Sequence, residues 1–267
     1  MTQDPYADLK KRQREMWASF SPTAMFTTPV AGHLVKFAGI GAGDAVLDVG
    51  TGTGVVAITA ARVGARVSAL DLTPELLEHA RENCRIAQKE DIVLTEGDVE
   101  QLPYPDASFD VVVSQFGHMF APRPDVAISE MHRVLKPGGR IAFATWPPEH
   151  FVGRMFAFVG RNSPPPPPGA APPPQWGIPA TIGERLGTRF DAPFFERGTM
   201  AFPALSLAHY RLFMEHSVGP MQKLVEGLAA EPQKLAAVRA EFDAMAAPYY
   251  LDNVVHQGYL LTRARSR

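Results

Sequence analysis

The stretch VLDVGTGTG, residues 46–54, decides the fold of this 267-residue chain. A short apolar run that contains Asp48 leads directly into three glycines at every second position. The apolar run is typical of a buried strand, and glycine permits both a tight turn and the close approach of a ligand to bare main chain. A helix that begins after such a loop directs its free N–H groups at the ligand. The stretch therefore predicts a strand, a ligand-binding loop and a helix in succession.

Strand and helix patterns alternate regularly outward from this stretch. Predicted strands cover residues 45–50, 65–71, 91–98, 109–116 and 140–146, and the helices between them cover 55–63, 74–88 and 125–135. Such alternation indicates parallel strands with helices on both faces of the sheet. Thr73 and Pro74 are typical of a helix start, and LKPGG at 135–139 is typical of a helix end. The sequence thus predicts an α/β fold with a doubly wound, mostly parallel sheet.

The flanks of this alternating region have a different organisation. Helices are predicted at 5–20, 29–38, 181–188, 206–217 and 231–247, and strands at 194–202 and 254–264. The last two strands lack a simple crossover connection, which favours an antiparallel edge of the sheet. SPPPPPGAAPPPQWGIP, residues 163–179, is too rich in proline for the interior of a helix or sheet. We interpret it as an extended connector, with an SH3-type ligand as the alternative.

Composition and charge narrow the functional classes. The formal net charge is -2, and the densest basic group, residues 10–14, reads as the solvated face of a helix. Nucleic acid is therefore not an expected partner. Cys84 is the only cysteine, which excludes an intrachain disulfide and a cysteine-based zinc site, and no metal is predicted. Neither an apolar signal core nor a run of bilayer length is found, so we expect a soluble, cytoplasmic protein without stable membrane insertion.

The glycine spacing distinguishes two kinds of nucleotide ligand. A dinucleotide fingerprint has the spacing Gly-x-Gly-x-x-Gly. Gly50 and Gly52 fit this pattern, but the third position is Val55, and Gly54 falls one place early. The mismatch argues against a nicotinamide-dependent oxidoreductase, which remains the alternative enzyme class.

Three aspartates at predicted strand ends indicate the ligand. Asp48 lies inside the first strand, where an acid suits a ligand with an ammonium group. Asp71 ends the second strand and can accept hydrogen bonds from both hydroxyls of a ribose. Asp98, after the third strand, can accept a hydrogen bond from an adenine amine, and Val99 can pack on the base. An adenosine joined to an amino acid satisfies all three acids, which predicts S-adenosyl-L-methionine as cofactor.

Taken together, four motifs resemble those of class I S-adenosylmethionine-dependent methyltransferases. They are VLDVGTGTG (46–54), LD (70–71), GDVEQLPYPDASFDVVVS (97–114) and EMHRVLKPGGRIAF (130–143), and they are most similar to the ubiquinone- and menaquinone-biosynthesis subgroup. The resemblance implies a Rossmann-like, seven-stranded sheet, mostly parallel with an antiparallel last strand, plus a helical cap. It also implies a set of cofactor-binding residues, namely Asp48, Gly50, Thr51, Gly52, Gly54, Asp71, Leu72, Asp98, Val99 and Ser114.

This resemblance divides the chain into four predicted parts. They are 1–40, N-terminal helices covering the cofactor site; 41–147, the S-adenosylmethionine-binding core; 148–252, the proline-rich connector, sheet-edge strand and helical cap; and 253–267, the final edge strand. The core covers the matched motifs, so choice of the methyl acceptor is expected to depend on the first and third parts.

The predicted reaction is methyl transfer to a small, apolar or aromatic acceptor by in-line displacement. Such a reaction depends on alignment and exclusion of water, and needs a base only if the acceptor loses a proton. His118, after the fourth strand, is the candidate for an acid–base or orienting role, since an unperturbed imidazole titrates at about 6.5. Candidates for an apolar acceptor pocket are Trp146, Phe151, Met155, Phe156 and Trp176. A non-catalytic cofactor-binding module and a protein acceptor remain alternatives.

Overall fold

The computed structural model describes residues 4–267, and all statements on the fold concern this range. Its helices are α1 Ala7–Trp17, α2 Ala24–Ala38, α3 Val55–Arg62, α4 Pro74–Ile86, α5 Pro124–Arg133, α6 Phe151–Arg161, α7 Pro179–Leu186, α8 Leu207–Ser217, α9 Gly219–Gly227 and α10 Pro232–Ala246. Its strands are β1 Ala45–Val49, β2 Arg66–Asp71, β3 Val93–Glu96, β4 Phe109–Gln115, β5 Leu135–Thr145, β6 Phe194–Pro203, β7 Tyr250–Leu251 and β8 Val254–Arg265. None of these helices has both the length and the hydropathy that a bilayer-crossing helix requires.

The strands form one sheet in the order β3-β2-β1-β4-β5-β8-β6, with the two-residue β7 paired to β8. Strands β1 to β5 pair in parallel, whereas β8 is antiparallel to both β5 and β6. The predicted α/β sheet, mostly parallel with an antiparallel last strand, is confirmed. The chain order reverses between β1 and β4, and the carboxyl ends of these two strands flank the crevice where ligands bind in such sheets.

The central strands explain why the apolar runs in the sequence are continuous. Val46, Leu47 and Val49 of β1 are all buried, as are the apolar residues of β4 and β5. Helices cover both faces of a parallel sheet, so alternation between polar and apolar residues disappears in its middle strands. Helix α2 packs on α3 and on strands β4, β5, β6 and β8 of the sheet.

Two local predictions differ from the structure. The motif LKPGG does not only end α5, because β5 already begins at Leu135, which pairs with Phe109 before the register shifts. Residues 136–139 have no partner in β4, and Gly138 has a positive φ of 73°, so the motif forms an irregularity near the start of the strand. The proline-rich run is without helix or strand up to residue 172, but Pro173–Gly177 forms a 3-10 helix. Proline fits the first turn of a helix, and the turn buries Trp176.

Candidate active site

The glycine loop between β1 and α3 has a backbone that side-chain-bearing residues rarely adopt. Gly50, Gly52 and Gly54 have positive φ angles of 68°, 56° and 87°. A Cβ atom at Gly50 would lie 2.7 Å from the Cα atom of Gly117, so the loop touches the chain that follows β4. A Cβ atom at Gly52 would meet no atom of the described chain within 4 Å. The loop thus leaves bare main chain at Gly52 for a ligand.

Asp48 is a buried acid, and within residues 4–267 only one of its two carboxylate oxygens accepts hydrogen bonds. Its Oδ2 accepts hydrogen bonds from the Thr51 hydroxyl at 2.6 Å and the Ala57 N–H at 3.1 Å. Its Oδ1 is buried and has no hydrogen-bond partner among residues 4–267. Burial raises the pKa of Asp48 to about 7, although both hydrogen bonds oppose that change. A buried, unpaired carboxylate oxygen is costly, and a cationic or hydrogen-bond-donating ligand group would satisfy it.

Asp71, at the end of β2, ties the glycine loop to the start of α4. Its Oδ2 accepts the Gly52 N–H at 2.7 Å, and its Oδ1 accepts the Thr73 N–H at 2.9 Å. Burial raises the pKa of Asp71, and the main-chain hydrogen bonds act against this change. Each carboxylate oxygen can accept a further hydrogen bond, so the acid can still bind a ligand.

Asp98 belongs to a group of carboxylates around the ammonium of Lys10. The Lys10 Nζ atom lies 2.7 Å from Asp4, 2.6 Å from Asp98 and 2.5 Å from Glu100. Lys10 is only 7% exposed. Burial opposes its charge, but the hydrogen bonds to the three acids outweigh burial and raise the pKa of Lys10. Since Arg123 also binds Glu100, the group holds α1 against the strand ends.

The interpretation of residues 10–14 as a solvated helix face is therefore wrong for part of this segment. Lys11 and Arg12 are exposed, but Lys10 is buried and Arg14 forms an ion pair with Glu96. Apart from Asp4, the partner acids lie more than eighty positions away in the chain, so helical periodicity alone does not reveal them.

A cavity of about 200 Å³ extends from the glycine loop into the interior. This is far more than a single water molecule requires. It is lined by most of the predicted site residues, namely Asp48, Gly50, Thr51, Gly52, Asp71, Leu72, Asp98, Val99 and His118. Gly54 and Ser114 do not line it. Gly54 packs beside Ala80, and the Ser114 hydroxyl donates to the Val49 carbonyl at 2.6 Å, which joins β4 to β1.

The other end of the cavity is apolar and aromatic. Of the predicted pocket residues, Trp146, Met155 and Phe156 line it, whereas Phe151 and Trp176 lie in the core outside its wall. Lining residues that were not predicted include Phe20, Thr27, Gln115, Phe116, Phe120, Met200, Met214 and Gln257. Phe116 stacks on Trp146 at 3.8 Å between ring centroids. Its place in the sequence, two residues after the predicted site residue Ser114, was the available signal. Met200 on β6 and Met214 on α8 belong to no local motif.

His118 is buried among aromatic rings. Its ring centroid lies 4.6 Å from that of Phe143 and 4.7 Å from that of Trp176. Neither ring nitrogen has a hydrogen-bond partner in the described part of the chain, and the residue is 1% exposed. Burial, assisted by the charge of Arg185, lowers the pKa of His118 to about 3. The imidazole is thus neutral at pH 7 and suited to hydrogen bonding rather than to proton uptake.

Comparisons with known proteins agree with this geometry. Residues 47–143 match the methyltransferase domain family. The chain is 33% identical over 256 residues to the uncharacterized protein Rv1403c of Mycobacterium tuberculosis, which covers 94% of this chain and 93% of that protein. It is 39% identical over 122 residues to demethylmenaquinone methyltransferase of Tropheryma whipplei, which covers 45% and 50% respectively. The chain belongs to the class I S-adenosylmethionine-dependent methyltransferases.

A solved structure of the same fold is similar to this methyltransferase. Phosphoethanolamine N-methyltransferase 2 of Haemonchus contortus, solved in complex with S-adenosyl-L-methionine, gives a TM-score of 0.54 at 18% identity. The match covers 89% of this chain and 52% of that chain. At this identity the likeness concerns the fold alone. The family match argues against the alternative class of nicotinamide-dependent oxidoreductases.

The residues of the family match and the residues that line the cavity cover different parts of this methyltransferase. Residues 47–143 contain the glycine loop, the three aspartates and His118. The apolar end of the cavity also takes residues from α1, α2, α6, β6, α8 and β8, which lie outside the matched range. The matched range therefore supplies the glycine-loop end of the cavity, and the apolar end combines Gln115, Phe116 and Phe120 of that range with residues from the rest of the chain.

Proposed function

We propose that this methyltransferase transfers the methyl group of S-adenosyl-L-methionine to a small, apolar or aromatic acceptor by in-line displacement. The observation that carries the proposal is the cavity, which joins an end lined by glycines and acids to an end lined by aromatic rings and thioethers. The first end suits a polar, cationic amino acid with a nucleoside, and the second suits an apolar molecule.

The residues at the first end fit the cofactor. The unpartnered Oδ1 atom of Asp48 suits an ammonium group, and the open main chain at Gly52 suits close approach by the methionine part. Asp71 would hold the ribose, and Asp98 and Val99 would hold the adenine. Thr51, Gly50 and Leu72 complete this wall, while Gly54 and Ser114 support it from behind. When bound, the cofactor supplies an activated methyl group on a sulfonium.

The protein's own contribution is positioning and exclusion of water. Trp17 on α1 and Phe120 after β4 have ring centroids 4.7 Å apart, and both line the cavity, so α1 covers it. The Gln13 side chain donates to the Phe120 carbonyl at 2.9 Å, which holds this cover in place. We assign His118 an orienting role toward the acceptor, because it lines the cavity and neither ring nitrogen has a partner among residues 4–267.

Thermal unfolding with S-adenosylhomocysteine tests the proposal. A ligand at one hundred times its Kd stabilises the folded state by about 2.7 kcal/mol. For a domain of this size we expect Tm to rise by about 5 to 10 °C. Asp71→Ala should abolish the rise, whereas Asp191→Ala, which removes an exposed acid, should retain it. No rise with S-adenosylhomocysteine at millimolar concentration, or a larger one with NADH, would contradict the proposal.

A further inference from the structure

Gln115, the last residue of β4, has an amide whose orientation is set by α2. Its Nε2 atom donates to the main-chain carbonyl of Thr27 at 3.1 Å. A carbonyl only accepts hydrogen bonds, so the nitrogen of the amide must face Thr27 and the oxygen must face away from it. The Oε1 atom is buried and has no hydrogen-bond partner in residues 4–267. Both residues line the cavity, so this buried and unused hydrogen-bond acceptor belongs to a side chain of its wall.

Gln115 lies where the two ends of the cavity meet. It precedes Phe116, which stacks on Trp146 at the apolar end. Gly117 follows, and its main chain packs directly on Gly50 of the glycine loop. Gln115 thus stands between the proposed cofactor wall and the aromatic pocket, where a bound acceptor would present its reacting group.

Charge in the cavity wall is confined to the end with the glycine loop. The charged lining residues are Lys10, Asp48, Asp71 and Asp98. Lys10 is already paired with carboxylates, including that of Asp98. The apolar end contributes only uncharged side chains, namely Trp17, Phe20, Thr23, Thr27, Gln115, Phe116, Phe120, Trp146, Val152, Met155, Phe156, Met200, Met214, Val218 and Gln257. An acceptor with a carboxylate or an ammonium group would find no opposite charge there, and an unpaired buried charge is strongly disfavoured.

We infer that the methyl acceptor is an uncharged molecule with an apolar body and one O–H or N–H group, and that Gln115 selects it by accepting a hydrogen bond at Oε1. The inference rests on the proposed function and specifies its substrate class. A molecule that lacks a donor would leave Oε1 buried and unpaired, and a site built for a hydrogen bond discriminates against such an analogue. Gln115 is thus a specificity-determining residue.

Matched probes test this inference on protein saturated with S-adenosylhomocysteine. Phenol and 2-naphthol carry an O–H donor, their methyl ethers lack it, and benzoate and 2-naphthoate carry a charge at pH 7. Indole and 1-methylindole form the corresponding pair for an N–H donor. Binding is measured by titration calorimetry. We expect the preferred donor probe to bind about tenfold more tightly than its methylated partner, which is about 1.4 kcal/mol, and the carboxylates not to bind.

Two variants separate the role of Gln115 from general packing. Gln115→Leu should weaken binding of the donor probe about tenfold and leave the methylated probe unchanged or improved, with the thermal shift by S-adenosylhomocysteine intact. Gln233→Leu, the same change at an exposed position on α10, should alter neither. Equal binding of donor and methylated probes by the wild-type protein, tighter binding of a carboxylate, or no binding of any donor probe would overturn the inference. Loss of the thermal shift in the wild-type protein would instead overturn the proposed function.

Discussion

Replacing Asp48 by asparagine tests whether the glycine loop is built around a buried acid. Burial raises the pKa of Asp48 from 3.8 to about 7, against the hydrogen bonds from Thr51 and Ala57. At 1.36 kcal/mol per pKa unit, an ionised carboxylate at this place costs the fold about 4 kcal/mol. Asparagine removes that cost but leaves a buried amide N–H group without a partner, which costs about 1 to 3 kcal/mol. We expect Asp48→Asn to stabilise the ligand-free protein by about 1 to 3 kcal/mol at pH 8.

The direction of the pH dependence follows from proton binding. Below pH 3.8 the carboxyl group is protonated in both states, so it contributes no slope. Between 3.8 and about 7 the folded state keeps a proton that the unfolded state has lost, so the wild-type protein loses stability as pH rises. Above that range the loss is complete and constant. Asparagine does not titrate, so the variant lacks this slope and should be about as stable as the wild-type protein at pH 5.

Urea denaturation at pH 5, 6.5 and 8 measures the free energies of unfolding. The variant should also bind S-adenosylhomocysteine at least about tenfold more weakly at pH 8, because a charge-assisted hydrogen bond to the ligand's ammonium is lost. Asp110→Asn is the matched control. The hydrogen bond from Lys136 lowers the pKa of Asp110, so this partly exposed acid stabilises the fold at pH 8, by less than about 1 kcal/mol. The reasoning is refuted if Asp48→Asn is less stable than the wild-type protein at pH 8, or if the difference between them is the same at pH 5.

Four further substitutions test other parts of the structure. Lys10→Met leaves three carboxylates without their shared ammonium, and hydrogen exchange in α1 should become at least about tenfold faster while exchange in β1 stays unchanged. Gly50→Ala places a Cβ atom 2.7 Å from the Cα atom of Gly117 at a positive φ, and should lower the free energy of unfolding by about 3 kcal/mol in urea; Gly52→Ala, which meets no atom, should cost about 1 kcal/mol. Glu215→Gln removes a carboxylate that binds two arginines in the cap and should cost about 2 kcal/mol at pH 7. Burial opposes the charge of Glu215, but the arginines lower its pKa, so this cost should shrink as pH falls below 4.5 and disappear below the folded-state pKa.

Local sequence patterns were sufficient to predict the core of the fold, because each strand, loop and helix that they indicate is formed by residues close together in the chain. An apolar run followed by glycines predicted β1, its loop and α3, and the structure has all three at nearly the predicted positions. The antiparallel arrangement of β6 and β8 also followed from the absence of a crossover. Helices α6 and α9 were not predicted. Residues of α6 line the cavity, whereas those of α9 do not.

Sequence by itself determined the chemistry of one end of the cavity, because glycines, strand ends and their acids follow one another within short segments. Only the tertiary structure determined which residues line the opposite end of the cavity. It brought Lys10 to Asp98 across the chain, kept Ser114 behind the wall, and placed Met200 of β6 and Met214 of α8 in the same cavity wall as the residues that follow β4. No local sequence pattern predicts the apolar end of the cavity. Its residues come from segments far apart in sequence, and only packing of those segments on the sheet makes them neighbours.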